Sequence, residues 1–276
     1  VTSIFTLVTA SLVLAVLWAA KSVPAHRPGE DDGQMRFDFE DVFGEDYLHF
    51  AGAQLGDERS QRDVEDIVRF LEFEAGDTVL DAPCGHGRIS NRLADRGVQV
   101  VGIDASALFV EVARGDSTTA EHRVGDLRDL PVEGPFDAVI SWFTSFGYFD
   151  DDGNRQVLAE YRRVLRPGGR LLLELHNRDE LVRRFTPAPF GQVVQLGDDM
   201  RIDTSEFDPV EGRMETDRIV IRDGQVRRSH FSVRLPTITE LRAWLADAGF
   251  AEARFTARDG GAPSIDRPRL VVVATA

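Results

Sequence analysis

TVLDAPCGHGRISNRLADRG, residues 78–97, decides the fold. Thr78 to Leu80 read as a strand that ends at Asp81. Ile89 to Asp95 follow at helical spacing, and Gly97 stops them. Between the two lies Asp81-Ala-Pro-Cys84-Gly85-His86-Gly87, a turn whose two glycines allow a sharp bend and a close approach to the backbone. Strand, glycine turn and helix form the opening unit of a doubly wound sheet, where ligands bind beyond the carboxyl ends of the strands.

The same alternation continues outward. Val98 to Ile103, His122 to Val124, Phe136 to Ile140 and Leu171 to Leu175 read as further strands. Helical patterns lie at Ala107 to Ala113 and Arg155 to Leu165, and Pro167-Gly168-Gly169 turns the chain before the fifth strand. Upstream, Ser60 to Phe73 carries Val64, Ile67, Val68 and Leu71 at helical spacing, ended by Gly76-Asp77. Gln192 to Leu235 breaks the pattern with alternating runs separated by DPVEG and RDG, which predicts a small antiparallel insertion with a hairpin turn at residues 222–224. Thr237 and Glu240 form a capping box, Gly249 ends that helix, and two final strands follow at Ala251 to Ala257 and Leu270 to Thr275. The pattern predicts an α/β fold: a doubly wound, seven-stranded, mostly parallel sheet with a small antiparallel insertion.

The chain has 276 residues, 42% of them hydrophobic, enough for one large domain. A net charge of -15 argues against nucleic acid as a partner. The single cysteine excludes an internal disulfide, and no Cys/His cluster has metal spacing. The first 20 residues carry no charged side chain and are long enough for a bilayer core of roughly 30 Å. They read either as a membrane anchor that keeps the domain on the cytoplasmic face or as the product of a different start, since the chain begins with Val. Residues 21–36 read as a linker and 37–276 as the domain, with the insertion at about 190–236. The mixed-charge runs ERSQRD (58–63) and ARGD (113–116) read as solvated surface.

Two nucleotide ligands compete for the glycine turn. A dinucleotide needs a third glycine, and that position is Ser90; Asp81 is also an unhelpful neighbour for a pyrophosphate. S-adenosylmethionine presents an ammonium and a sulfonium, which an acid at the strand end suits. Asp104, about twenty residues on, can accept from a ribose diol in either case. Asp126 can accept from an adenine amine while Leu127 offers a backbone N–H, although an acid there also serves as a turn residue. Cys84 and His86 read as walls of the turn rather than as a nucleophile and its base.

The segments VLDAPCGHGR, VVGIDAS, GDLRDLP, FDAVISWFTSFGYF and VLRPGGRLLLEL resemble the class I S-adenosylmethionine-dependent methyltransferases, in particular a bacterial subgroup with a β-rich insertion after the fifth strand. The resemblance implies that Asp81, Cys84, Gly85 and Gly87 surround the methionine end of the cofactor and that Asp104 holds the ribose. Ala105 and Leu127 would flank the adenine, Asp126 would bind its amine, and Ser141 would stand beside the sulfonium. Arg59 and Ser60 resemble a short motif that closes over the cofactor. Trp142, Phe143, Phe146, Tyr148 and Phe149 read as core or as the wall of a methyl-transfer pocket, with Tyr47 and Phe50 as a lid. Tyr148 and His176 are the candidate catalytic residues; Asn177 reads equally as a strand-end cap. The implied reaction is methyl transfer to a nitrogen or oxygen of a small molecule, with no metal and with a homodimer as one assembly. A nucleotide-dependent oxidoreductase and a non-catalytic binding protein are the alternatives.

Overall fold

The alternation of apolar residues decides which face of the sheet each strand serves. In β1 (Thr78–Asp81) Val79 and Leu80 are both fully buried but point to opposite faces. The computed structural model describes residues 39–116, 119–185 and 190–276, all within one compact unit, Asp32–Ala276. The apolar stretch 1–20 and the linker 21–36 lie outside the described residues. No helix among those described is long and apolar enough to cross a membrane.

β1 lies parallel between β2 (Gln99–Asp104) and β4 (Phe136–Ser141), with Val79 opposite both Val100 and Ala138. β3 (Glu121–Val124), β5 (Leu165–His176), β10 (Glu252–Ala257) and β11 (Arg269–Thr275) complete a seven-stranded sheet in the order β10-β11-β5-β4-β1-β2-β3. β11 runs antiparallel to both its neighbours and the other contacts are parallel. The winding reverses between β1 and β4, so the crevice for ligands opens above those two strands.

Helices cover both faces. Leu80, Val139, Leu171 and Leu173 pack under α6 (Asp151–Val164) and α8 (Ile238–Asp247). Val79, Ala138, Ile140 and Leu172 pack under α3 (Asp57–Leu71) and α4 (Ser90–Ala94). α5 (Ala107–Gly115) starts at Ser106, whose hydroxyl accepts from Phe109 N–H. The Thr237–Glu240 capping box is present at the start of α8. Two short helices, α1 (Phe39–Val42) and α2 (Glu45–Gln54), precede α3.

The antiparallel sheet consists of β6 (Phe190–Leu196), β7 (Asp199–Asp208), β8 (Arg213–Arg222) and β9 (Gln225–Arg234), joined as a meander. Asp223 and Gly224 both have positive φ, 53° and 70°, as a two-residue hairpin loop requires. α7 (Arg178–Arg184) links this sheet to β5, capped by the Asn177 side chain.

Several boundaries differ from the sequence expectation. α6 begins at Asp151, four residues before Arg155, where the Asp150 side chain caps it by accepting from Gly153 N–H. α3 stops at Leu71, ahead of Gly76, because Glu72 itself adopts the left-handed conformation and donates its N–H to Val68 O. β5 begins at Leu165, not Leu171. Phe136 pairs with Leu165 and Ala138 with Arg170, so the Pro-Gly-Gly segment bulges out of a continuing strand instead of preceding it.

Candidate functional site

The turn after β1 is held from below. Tyr161 in α6 donates its hydroxyl to Ala82 O at 2.6 Å, and Cys84 N–H donates to Ile103 O. Within it the two glycines do different work. Gly85 has φ +55°, and a Cβ there would meet nothing within 4 Å. Gly87 has φ +80°, but a Cβ would come within 2.8 Å of Ala113 Cβ and of Asn91 Nδ2. Gly85 therefore opens the turn to a ligand, while Gly87 lets α4 and α5 close together.

Above the turn lies a cavity of about 910 Å³. Of the cofactor-site residues expected from the sequence, Arg59, Gly85, Asp104, Ala105, Asp126 and Leu127 line it. Asp81, Cys84, Gly87 and Ser141 do not line it and sit in the layer beneath, where Asp81, Cys84 and Ser141 are all buried. Asp81 Oδ2 and Ser141 Oγ are buried there without a hydrogen-bond partner. Burial pushes the Asp81 carboxyl up to about 7, with Arg88 opposing the rise and Asp104 adding to it. Cys84 packs its sulfur under the turn against Gly102, and burial raises the thiol well above its usual range. His86 is lowered by burial and by Arg88. A protonated thiol beside a neutral imidazole is no nucleophile pair.

Asp104, at the end of β2, accepts from Gly85 N–H at 2.8 Å through Oδ2 and from Ser106 N–H at 2.9 Å through Oδ1. Each oxygen keeps a second lone pair. Asp126 differs. It is half-exposed and forms a two-pronged pair with Arg128, Nε to Oδ1 at 3.1 Å and Nη2 to Oδ2 at 2.7 Å. Arg128 in turn lies over the Phe149 ring.

The aromatic run after β4 divides in two. Trp142 and Phe146 are core, whereas Phe143, Tyr148 and Phe149 line the cavity. Tyr47 lines it from α2, but Phe50 is fully buried behind it and is no lid. Phe143 and Thr144 both have positive φ, 68° and 55°. That strained bend is held by Glu174 of β5, whose Oε2 accepts from Phe143 N–H at 3.0 Å and whose carbonyl accepts from Thr144 N–H at 2.8 Å. Glu174 is itself fully buried and ion-paired with Arg269.

Arg269 also donates to His176 Nδ1 at 3.1 Å. A guanidinium only donates, so Nδ1 is the acceptor and the neutral ring carries its hydrogen on Nε2. Burial, Arg269 and Arg184 lower the His176 imidazole to about 3. His176 thus presents an N–H at the cavity edge. Burial raises the Tyr148 phenol far above its usual range, so it too stays protonated. Asn177 is a cap: its amide donates to Ser264 O and Arg267 O, and its oxygen accepts from Asp179 N–H.

The run ERSQRD is not plain surface. Asp63 is fully buried and pairs with Arg88 at 2.6 Å and with Arg258, with Arg59 at 3.8 Å. Burial raises its carboxyl, and Arg88 and Arg258 more than reverse that. This cluster ties α3 to the residue after the glycine turn and to the terminal strands. Ser60 is spent on Leu55 O.

The far wall is the antiparallel sheet. Arg201, Asp203 and Ser205 of β7, Met214, Thr216 and Arg218 of β8, and Phe231 and Val233 of β9 all face the cavity. Sequence reading placed none of them, nor Glu174 and Arg269. A charged residue inside the apolar run LLLEL is a signal for Glu174; the insertion offers no comparable one.

A seven-stranded sheet with an antiparallel last strand, a glycine turn after β1 and an acid after β2 is the architecture found in class I S-adenosylmethionine-dependent methyltransferases. Residues 79–169 match the family described as "Methyltransferase domain". The chain is 36% identical over 126 residues to the ubiquinone biosynthesis O-methyltransferase of Xanthomonas oryzae pv. oryzae, covering 44% of this chain and 48% of that one. It thus spans about half the length of the curated relatives it matches. Among solved structures it resembles the CcbJ methyltransferase from Streptomyces caelestis, at TM-score 0.66 and 21% identity over 78% of this chain and 89% of that one. It also resembles CalS10, an amino pentose methyltransferase from Micromonospora echinaspora solved with S-adenosylmethionine bound, at TM-score 0.62 and 24% identity over 83% and 96%. Residues 79–169 thus match a methyltransferase domain, and the surrounding fold resembles that of solved methyltransferases.

Proposed function

We propose that this chain transfers the methyl group of S-adenosylmethionine to a nitrogen or oxygen of a small molecule. The observation that carries the reading is one cavity in which the carboxyl ends of the parallel strands face an aromatic and antiparallel-sheet wall. The open space above Gly85 and the second lone pairs of the Asp104 carboxylate, both on the cavity lining, suit an adenosyl ligand. Asp104 would accept from the ribose diol, Leu127 would lie against the adenine, and Asp126 would turn from Arg128 towards the exocyclic amine.

When bound, the cofactor supplies a methyl group already activated on a sulfonium. The remaining task of the chain is to orient the acceptor and exclude water. Phe143 and Tyr148 present aromatic faces that suit a cation. His176 Nε2–H and the Tyr148 hydroxyl hold their protons, so they are suited to orient an acceptor by donating to it. The curated relative is named for ubiquinone biosynthesis and the solved neighbour for an amino pentose, which supports a small acceptor.

The test is calorimetric titration with adenosylhomocysteine and with NAD(P), followed by mass spectrometric detection of adenosylhomocysteine produced from a panel of small amines, phenols and acids. Turnover abolished by Asp104→Ala is the expected result. Binding of NAD(P) without binding of adenosylhomocysteine overturns the reading in favour of an oxidoreductase.

A further inference from the structure

The inward face of the insertion carries an unbalanced charge. Asp203 and Arg218 are cross-strand partners on β7 and β8, and Arg201 precedes Asp203 by two residues on the same face. Arg218 grips Asp203 with Nε to Oδ1 at 2.7 Å and Nη2 to Oδ2 at 3.1 Å. Arg201 Nε lies 3.2 Å from Asp203 Oδ2 but outside hydrogen-bonding geometry, so it is buried without a partner. Gln54 Oε1 accepts from Arg201 Nη2 and fixes the guanidinium in place. Arg201 is 5% exposed, Asp203 7% and Arg218 9%, and all three line the cavity.

Two guanidiniums against one carboxylate leave one surplus positive charge away from water, an arrangement that costs stability unless an anion arrives. Of the four other cavity arginines, Arg128 has Asp126, Arg184 has Glu180 and Arg269 has Glu174, while Arg59, 38% exposed, shares Asp63 with Arg88 and Arg258. Tyr47, Asp104, Arg201 and Arg218 line the same cavity. Beside the cluster, Met214, Phe231 and Val233 supply an apolar wall.

We propose that Arg201 and Arg218 form the anchor for a carboxylate on the methyl acceptor, which makes the substrate class small molecules with one carboxylate and an apolar body. A carboxylate fits because its two coplanar oxygens match a guanidinium fork and its single charge matches the surplus. The proposal deepens the methyltransferase reading and rests on it for the word acceptor, though the anion site is testable alone.

The experiment measures binding of matched acid and amide probes, 4-hydroxybenzoate against 4-hydroxybenzamide and anthranilate against anthranilamide, with and without adenosylhomocysteine. The expected result is that the acid of at least one pair binds ten times or more tightly than its amide. Arg201→Met should erase that preference and Arg201→Lys restore part of it, while both variants bind adenosylhomocysteine as the parent does. Arg201→Met leaves the Asp203–Arg218 pair intact, so the fold persists. Equal or absent binding of acid and amide in every pair overturns the proposal, as does a preference that survives Arg201→Met. Acid preference without any adenosylhomocysteine binding keeps the anion site and sinks the methyltransferase reading instead.

Discussion

Replacing Asp104 by Asn separates the structural and ligand duties of one carboxylate. In the parent, Oδ1 and Oδ2 each accept one backbone N–H, from Ser106 and from Gly85. An amide keeps one acceptor and turns a donor towards the other N–H, which leaves a buried donor unpaired at a cost of about 1–3 kcal/mol. Melting should fall by roughly 2–10 °C for a domain of this size. On the ligand side, one charge-assisted hydrogen bond to the ribose is lost, about 1.5–3 kcal/mol, which is roughly tenfold to a hundredfold in Kd. Calorimetry with adenosylhomocysteine on the purified variant, after circular dichroism confirms folding, reads both numbers. Asp126→Asn is the control: its pair with Arg128 is half-exposed, so stability should change by less than about 1 kcal/mol. A folded Asp104→Asn protein with unchanged affinity would refute the ribose assignment.

Gly87→Ala should destabilise by about 2–4 kcal/mol, from overpacking against Ala113 and a left-handed alanine, with affinity for adenosylhomocysteine little changed once folded. Gly85→Ala should cost about 1–2 kcal/mol in stability and mainly weaken the ligand; thermal melts and titrations showing the opposite pattern would reverse the two roles. His230 is raised to about 9 by hydrogen bonds to Asp217 and Glu215. Its folded pKa exceeds the unfolded one, so its contribution is whole below pH 6.5 and disappears as pH rises through about 9. After allowance for solvent screening that contribution is roughly 1 kcal/mol, and urea titrations at pH 6 and pH 10 should differ less in His230→Gln than in the parent. Cys84 should resist iodoacetamide at pH 8 while folded and react once denatured; labelling of the native protein at the rate of a free thiol would contradict its burial.

The parallel sheet was legible because its signals are local. Glycine turns, apolar runs such as VVGI and LLLEL, and the Thr237–Glu240 box each specify their element within a few residues. The RDG hairpin was readable for the same reason, since its two central residues need positive φ. Boundaries were less legible where a residue overrides its propensity, as Glu72 does. The glycine-turn edge of the cavity was legible in part. Asp104 and Gly85 were distinguishable by position, but nothing in the text separates Gly85, which faces open space, from Gly87, which faces Ala113. The acceptor wall was not legible at all. In β7 and β8 both faces carry charge, and a period-two pattern of that kind does not say which arginines point inward. Likewise, Asp63 looks like surface until two distant arginines, Arg88 and Arg258, are brought to it.

The antiparallel sheet hangs between α7 and α8 with its own hydrogen-bond ladder, apart from the one that positions the glycine turn. A combinatorial library confined to its inward positions 205 and 216 would therefore vary one wall while keeping Asp104, the Phe143–Thr144 bend and the guanidinium pair as constants, whereas Phe231 and Val233 also pack against Val42 and Leu181. The fold itself marks out which part of this cavity can be varied with the sheet that holds the glycine turn left unchanged.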